Sequence, residues 1–201
     1  VSAVTLFRVG GPHWPVRELT EADLPALQRL FESNARYFEL ISGQGPRADE
    51  AAQEFAELPP ADMPYRRLWK LGFFTSDHGD AELAGMASVI SDFIAPAVGH
   101  VGLFMLAAEH QGQGAALASY AALERWMQHS EGAQWLRLGI IVGNTRAERF
   151  WARCGYGQMR ERGPVSYGLR QNMLRVMMKP LTGGAAADYL ARVARDRPDA
   201  I

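Results

Sequence analysis

The run Leu106-Ala107-Ala108-Glu109-His110-Gln111-Gly112-Gln113-Gly114-Ala115-Ala116-Leu117 joins an apolar stretch to an amphipathic one through two closely spaced glycines. That spacing suits the binding of a diphosphate. The first N–H groups of a helix have no intrahelical partner and sit at the positive end of the helix dipole, so a turn that leads phosphate oxygens to them binds anions. Gly112 and Gly114 allow a close approach and a positive φ that a Cβ would oppose.

Of two phosphate-binding patterns, one fails on this run and the other matches in part. A P-loop needs Gly-Lys-Ser or Gly-Lys-Thr, and neither dipeptide occurs. A dinucleotide fingerprint G-x-G-x-x-G places Leu117 where its third small residue belongs, and Glu131, the available acidic partner, falls near a helix end and not at a strand tip. The pattern Q/R-x-x-G-x-G/A is satisfied by Gln111, Gly114 and Ala116. Downstream, residues 134–142 form an apolar run, Asn144-Thr145-Arg146-Ala147-Glu148-Arg149-Phe150-Trp151-Ala152-Arg153-Cys154-Gly155-Tyr156 follows, and Met177-Met178-Lys179-Pro180-Leu181 comes later. Taken in this order and spacing, the loop, the segment similar to N-x-x-A-x-x-F-Y-x-x-x-G-F and the closing strand resemble the GNAT N-acetyltransferase superfamily over residues 14–181, most tightly from 100 to 156.

The resemblance implies an α/β (α+β) fold with a central, mostly antiparallel sheet of about seven strands, splayed between the fourth and fifth and flanked by helices. It implies acetyl-CoA as cosubstrate, no metal, and direct transfer of acetyl to a primary amine of a small molecule or peptide. Carried over residue by residue, the cofactor-binding positions are Leu106 through its backbone amide, Gln111, Gly112, Gln113, Gly114, Ala115, Ala116, Asn144 and Trp151. Asn144 also suits a helix N-cap. His100 stands where several families of this type place a general base, and an imidazole near its reference pKa of about 6.5 is largely neutral at pH 7. Asp92 is the second candidate base, or a turn former at a strand end. Strand alternation puts His100, Gly102, Phe104 and Leu106 on one face. Glu109 and His110 read as a solvent-facing rim, and Cys154 as a small buried hydrophobe.

Trp151 departs from the pattern. It occupies the place of a tyrosine that protonates the leaving thiolate, and an indole N–H donates a hydrogen bond without titrating. Tyr156, Tyr167 or water are the substitutes. This departure keeps a non-catalytic acyl-CoA-binding module as an alternative, and Gly112-Gln113-Gly114 keeps a dinucleotide-binding oxidoreductase as a weaker one.

The elements that must position these groups follow from periodicity and punctuation. Strands are expected at 16–19, 67–75, 83–93, 100–106, 134–142 and 177–181, and helices at 20–38, 48–57, 114–128, 145–153 and 186–194. Thr20 and Asp23 form a capping-box pair, and Pro59-Pro60 ends the second helix. Tyr37, Phe38, Glu39, Glu54 and Phe55 are candidates for an amine-binding wall. With 201 residues and 48% hydrophobic content, the chain is long enough for one core domain, expected at 14–182 between an extension at 1–13 and a tail at 183–201. Its net charge of -1 gives no electrostatic case for nucleic acid or membrane, and one cysteine excludes an intrachain disulfide. A cytoplasmic monomer or homodimer is expected.

Overall fold

The computed structural model describes residues 4–78, 81–112 and 114–200, so Gln113 lies outside the described residues. Eight strands form one sheet: β1 (Phe7–Arg8), β2 (Pro15–Glu18), β3 (Arg67–Phe74), β4 (Leu83–Ser91), β5 (Val98–Leu106), β6 (Trp135–Ile141), β7 (Gly157–Tyr167) and β8 (Arg170–Pro180). Their order is β1-β2-β3-β4-β5-β6-β8-β7. Neighbours are antiparallel except β5 and β6, which run parallel. The expected mixed sheet flanked by helices is present, with one strand more than expected.

Helices cover both faces, which is why β4 is buried along its whole length. On one face α4 (Ala115–His129) and α5 (Thr145–Arg153) enclose Leu123, Met127, Leu136, Leu138 and Ile140. On the other, α1 (Leu24–Ser33) buries Leu27, Leu30 and Phe31 against Met86 and Met105. There too α2 (Ala35–Ser42) and α3 (Glu50–Ala56) form a wall, and α6 (Ala186–Arg192) packs Tyr189 and Val193 onto Val98 and Trp135. No helix of the described residues is long and apolar enough to cross a membrane.

The helix expected over 20–38 divides. A 3-10 turn, Glu21–Asp23, opens with the Thr20 amide donating to Asp23 Oδ2 at 2.8 Å, and the helix then breaks at Asn34, whose φ of -111° and ψ of 28° are not helical. Asn34 Nδ2 there donates to Leu30 O at 2.9 Å and to Leu106 O at 3.1 Å. A residue that competes well with the helix's own hydrogen bonds thus turns the chain toward the end of β5.

The register of β5 sets the site. Ser88 pairs with Leu103 but Val89 with Val101, so Gly102 is an extra residue in β5. Such a bulge shifts the alternation by one. Phe104 and Leu106 therefore join the core under α4 and α5, while His100, the pairing partner of Arg137, faces the side of α2, α3 and α6. The expectation that His100, Gly102, Phe104 and Leu106 share a face is corrected by this single inserted glycine.

Candidate functional site

Strands β5 and β6 pair only from Val98↔Trp135 to Val101↔Leu138 and then part. β6 continues along β8 as far as Ile141↔Leu174, and β5 along β4 as far as Leu106↔Gly85. The Ala107 amide donates to Ala84 O at 2.9 Å. In an antiparallel ladder that phase turns every second N–H toward the partner and the others away. Met105 and Leu103 thus address β4, whereas Phe104 and Leu106 turn their N–H groups to the side that β6 has left. A cavity of ≈ 860 Å³ opens at the split, with Gly102, Phe104, Gly139, Asn144 and Trp151 among its walls.

At the same end of β5 the glycine turn leads into α4. Gly112 and Gly114 have φ of +90° and +82°, and the Ala115 amide donates to Gly112 O at 3.1 Å. A Cβ built on either glycine meets nothing within 4 Å, so the ground in front of the first turn of α4 is clear. Gln111 braces the turn from behind. Its Nε2 donates to Asn34 Oδ1 at 2.7 Å and Leu106 O at 2.8 Å, and its Oε1 accepts from Arg146 Nη2 at 2.6 Å. Asn34 and Arg146 are site residues that the motif alone does not name; the Ser33-Asn34 pair inside an otherwise helical stretch was the available signal for the first.

Asn144 caps α5, its Oδ1 accepting from the Ala147 amide at 3.2 Å, and it also lines the cavity, so the cap and the site coincide. Trp151 is buried edge-on among Tyr120 at 5.1 Å, Phe150 at 4.9 Å and Tyr156 at 5.3 Å, with part of the ring on the cavity. Tyr156 is bound behind it, its hydroxyl 2.8 Å from that of Tyr120, and burial pushes its pKa well up. Tyr167 does reach the cavity wall. Glu109 is exposed as expected, but His110 is half-buried edge-on to Trp14 at 5.1 Å, and its enclosed Nε2 has no partner among the described residues. Burial raises the Cys154 thiol to about 11, so thiolate is a minor species at neutral pH. Cys154→Ala is accordingly expected to leave turnover within about twofold of the parent, as steady-state kinetics would measure.

The two candidate bases are placed apart. Asp92 holds a tight turn: Oδ1 accepts from the Ala97 amide at 2.8 Å and Oδ2 from Arg66 Nε at 2.7 Å. It is not among the cavity's lining residues. His100 is, stacked on Phe93 with ring centroids 4.6 Å apart. Arg137 Nη1 lies 3.3 Å from His100 Nδ1, and since a guanidinium only donates, Nδ1 is the acceptor and Nε2 carries the proton. Burial, followed by the charges of Arg137 and Arg162, holds His100 well below the ordinary imidazole value. It is a neutral donor.

Behind His100 stands a buried ionic group. Arg137 Nε donates to Asp196 Oδ2 at 2.6 Å and Nη2 to Oδ1 at 3.0 Å, while the Tyr189 hydroxyl donates to Oδ2 at 2.5 Å. Burial alone would raise the Asp196 carboxyl, but these bonds and the charge of Arg137 hold it below the usual range. Its sequence signal was Arg137, a charge inside the apolar run Trp-Leu-Arg-Leu-Gly-Ile-Ile. Opposite, Tyr37, Phe38 and Glu54 line the cavity, whereas Glu39 and Phe55 do not. Glu54 Oε1 accepts from Lys70 Nζ at 2.5 Å, and burial raises the Glu54 carboxyl despite that pairing.

The family model described as the acetyltransferase (GNAT) family matches residues 27–156. No curated protein matches the sequence. Among solved structures, an acetyltransferase from Thermus thermophilus superposes with a TM-score of 0.65 at 20% identity, covering 89% of this chain and 100% of that one. Ribosomal-protein-S5-alanine acetyltransferase from Vibrio fischeri gives 0.61 at 17% identity, covering 84% and 93%. Spermidine N-acetyltransferase from Vibrio cholerae, in complex with CoA and spermine, gives 0.59 at 17% identity, covering 83% and 95%. At these identities the neighbours share the fold.

Proposed function

Because the chain belongs to the acetyltransferase (GNAT) family, we propose that it is an acetyl-CoA-dependent N-acetyltransferase acting by direct transfer to a primary amine of a small molecule or peptide. The observation that supports this most is the coincidence, at one end of β5, of a parted strand pair and a clear helix N-terminus. The amide of Ala116, approached past Gly112 and Gly114, suits a diphosphate. The outward N–H groups of Phe104 and Leu106 suit the amide-bearing arm and acyl oxygen of the thioester, and Asn144 and Trp151 flank it. When acetyl-CoA is bound, the amine nitrogen bonds to the acyl carbon as the carbon–sulfur bond breaks and CoA leaves as its thiol.

The chain's own part is to bind, to donate to the acyl oxygen and to take the amine's proton. Charge that develops on an acyl oxygen is stabilised by fixed backbone donors. Of the carboxylates at the cavity, Glu54 is the one whose pKa desolvation raises, which makes it the better proton acceptor, directly or through water. Asp92 has both oxygens engaged, and His100 has no free lone pair. Glu54→Gln is expected to lower kcat by about a hundredfold with little change in the Michaelis constant for acetyl-CoA. In the parent, kcat/KM should fall as the pH drops through the Glu54 pKa, above its ordinary 4.5, and that acid limb should vanish in the variant.

The test is a screen of primary amines with free-thiol detection and mass spectrometry, run beside calorimetric titration with acetyl-CoA. Acetylated product supports the reading. Binding without turnover of any amine would identify a sensing module, the outcome that Trp151 most favours, and absence of binding would overturn the assignment altogether.

A further inference from the structure

Four full cations line the cavity: Arg47, Lys70, Arg137 and Arg162. Three of them are matched within the chain, Arg47 by Glu50 at 2.8 Å, Lys70 by Glu54 at 2.5 Å and Arg137 by Asp196 at 2.6 Å. Arg162 is the exception. Among the described residues its side chain has neither an ion pair nor a hydrogen-bond partner. It is half-buried on β7, on the strand that borders β8 at the sheet edge, where the register shifts between Arg162 and Val165 and re-aims the chain.

Its surroundings do not repay the burial. Desolvation and the charges of Arg137 and Arg195 all act against the Arg162 cation, and Asp196, the acidic group that favours it, already accepts from Arg137 and Tyr189. A partly desolvated guanidinium beside other cations is a local cost to the fold. Arg fits a carboxylate with two parallel N–H donors, so an anion supplied from outside would remove that cost. Two further donors line the same cavity: the Nε2–H of His100, whose tautomer Arg137 fixes, and the hydroxyl of Tyr167. On the α3 side of the cavity Glu50, Glu54 and Glu57 outnumber Arg47 and Lys70 and supply the opposite polarity.

The geometry points to an acceptor that carries a carboxylate beside its amine, a compound of the amino acid class, with the carboxylate held by Arg162 and the amine directed to the Glu54 wall. This rests on the acetyl-transfer reading and narrows it from amines in general to amines with an anionic end.

The experiment compares the common amino acids with their methyl esters, which keep the amine and lose the anion. Wild-type protein should favour the free acids in kcat/KM by at least about tenfold, since a site built for a charged group rejects the analogue lacking it. Arg162→Ala should bring that ratio close to one and Arg162→Lys should leave it intermediate, with the acetyl-CoA dissociation constant unchanged in both. Equal use of acids and esters by the wild type overturns the inference, as does an Arg162→Ala variant that loses activity on both alike. Calorimetric binding of the same pairs to the CoA-loaded protein makes the comparison without turnover. Binding of acids over esters through Arg162, with no acetylation of either, would keep the carboxylate site and remove the transfer reading.

Discussion

Replacing Gly114 with valine is expected to raise the Michaelis constant for acetyl-CoA, the proposed cosubstrate, by roughly ten- to a hundredfold, a loss of about 1.4–2.8 kcal/mol in binding. Gly114 holds φ at +82° at the mouth of α4, with no atom within 4 Å of where a Cβ would stand. A branched side chain therefore fills the ground that phosphate oxygens need and also suffers the left-handed backbone, which costs a side-chain-bearing residue roughly 1–2 kcal/mol. The two effects are separable. Gly132 has φ of +75° and equally clear surroundings, but it follows the other end of α4, so Gly132→Val carries the strain without the obstruction. Steady-state kinetics on both variants decide the matter: equal increases in the two would sink the cradle.

Asp196→Ala is expected to destabilise the fold by about 3–5 kcal/mol, the usual cost of leaving a buried charge without its partner. Arg137 is buried in a central strand and spends two donors on Asp196, so loss of that carboxylate leaves its charge without its counter-ion. Urea unfolding reads the change, and Tyr189→Phe, which removes one hydrogen bond, should cost about 1–2 kcal/mol. The pH dependence has a defined sign. Because the folded carboxyl lies below its ordinary 3.8, its contribution is complete above that value and is lost as the pH falls through the folded one. The stability gap between wild type and Asp196→Asn should thus be full at pH 6 and narrow below about pH 4. A gap independent of pH would show that the carboxylate charge is not what holds Arg137.

The parts of the site legible in the sequence were those that depend on neighbours in the chain. The glycines before α4 and the cap at Asn144 meet local backbone requirements, so spacing alone located them. The bulge at Gly102 was not legible, because it is a property of pairing with β4 and not of the β5 sequence; one extra residue reversed the side on which His100 lies. β7 escaped notice because its residues are those of a guarded sheet edge, charged at Arg160, Glu161 and Arg162, and lacking the apolar alternation that marks inner strands. The brace Asn34–Gln111–Arg146 and the Arg137–Asp196 pair join positions far apart in sequence, where no periodicity speaks.

Arg137 and Asp196 are 59 residues apart, and nearly the whole described sheet is translated before the acid that neutralises its central cation. A nascent chain that has already laid β6 against β8 still carries that uncompensated charge, so its acceptor end matures only when the stretch from Ala186 to Asp196 emerges and folds back. Ribosome-stalled chains of increasing length should gain protease resistance around β6 in a late step, coincident with the exit of Asp196.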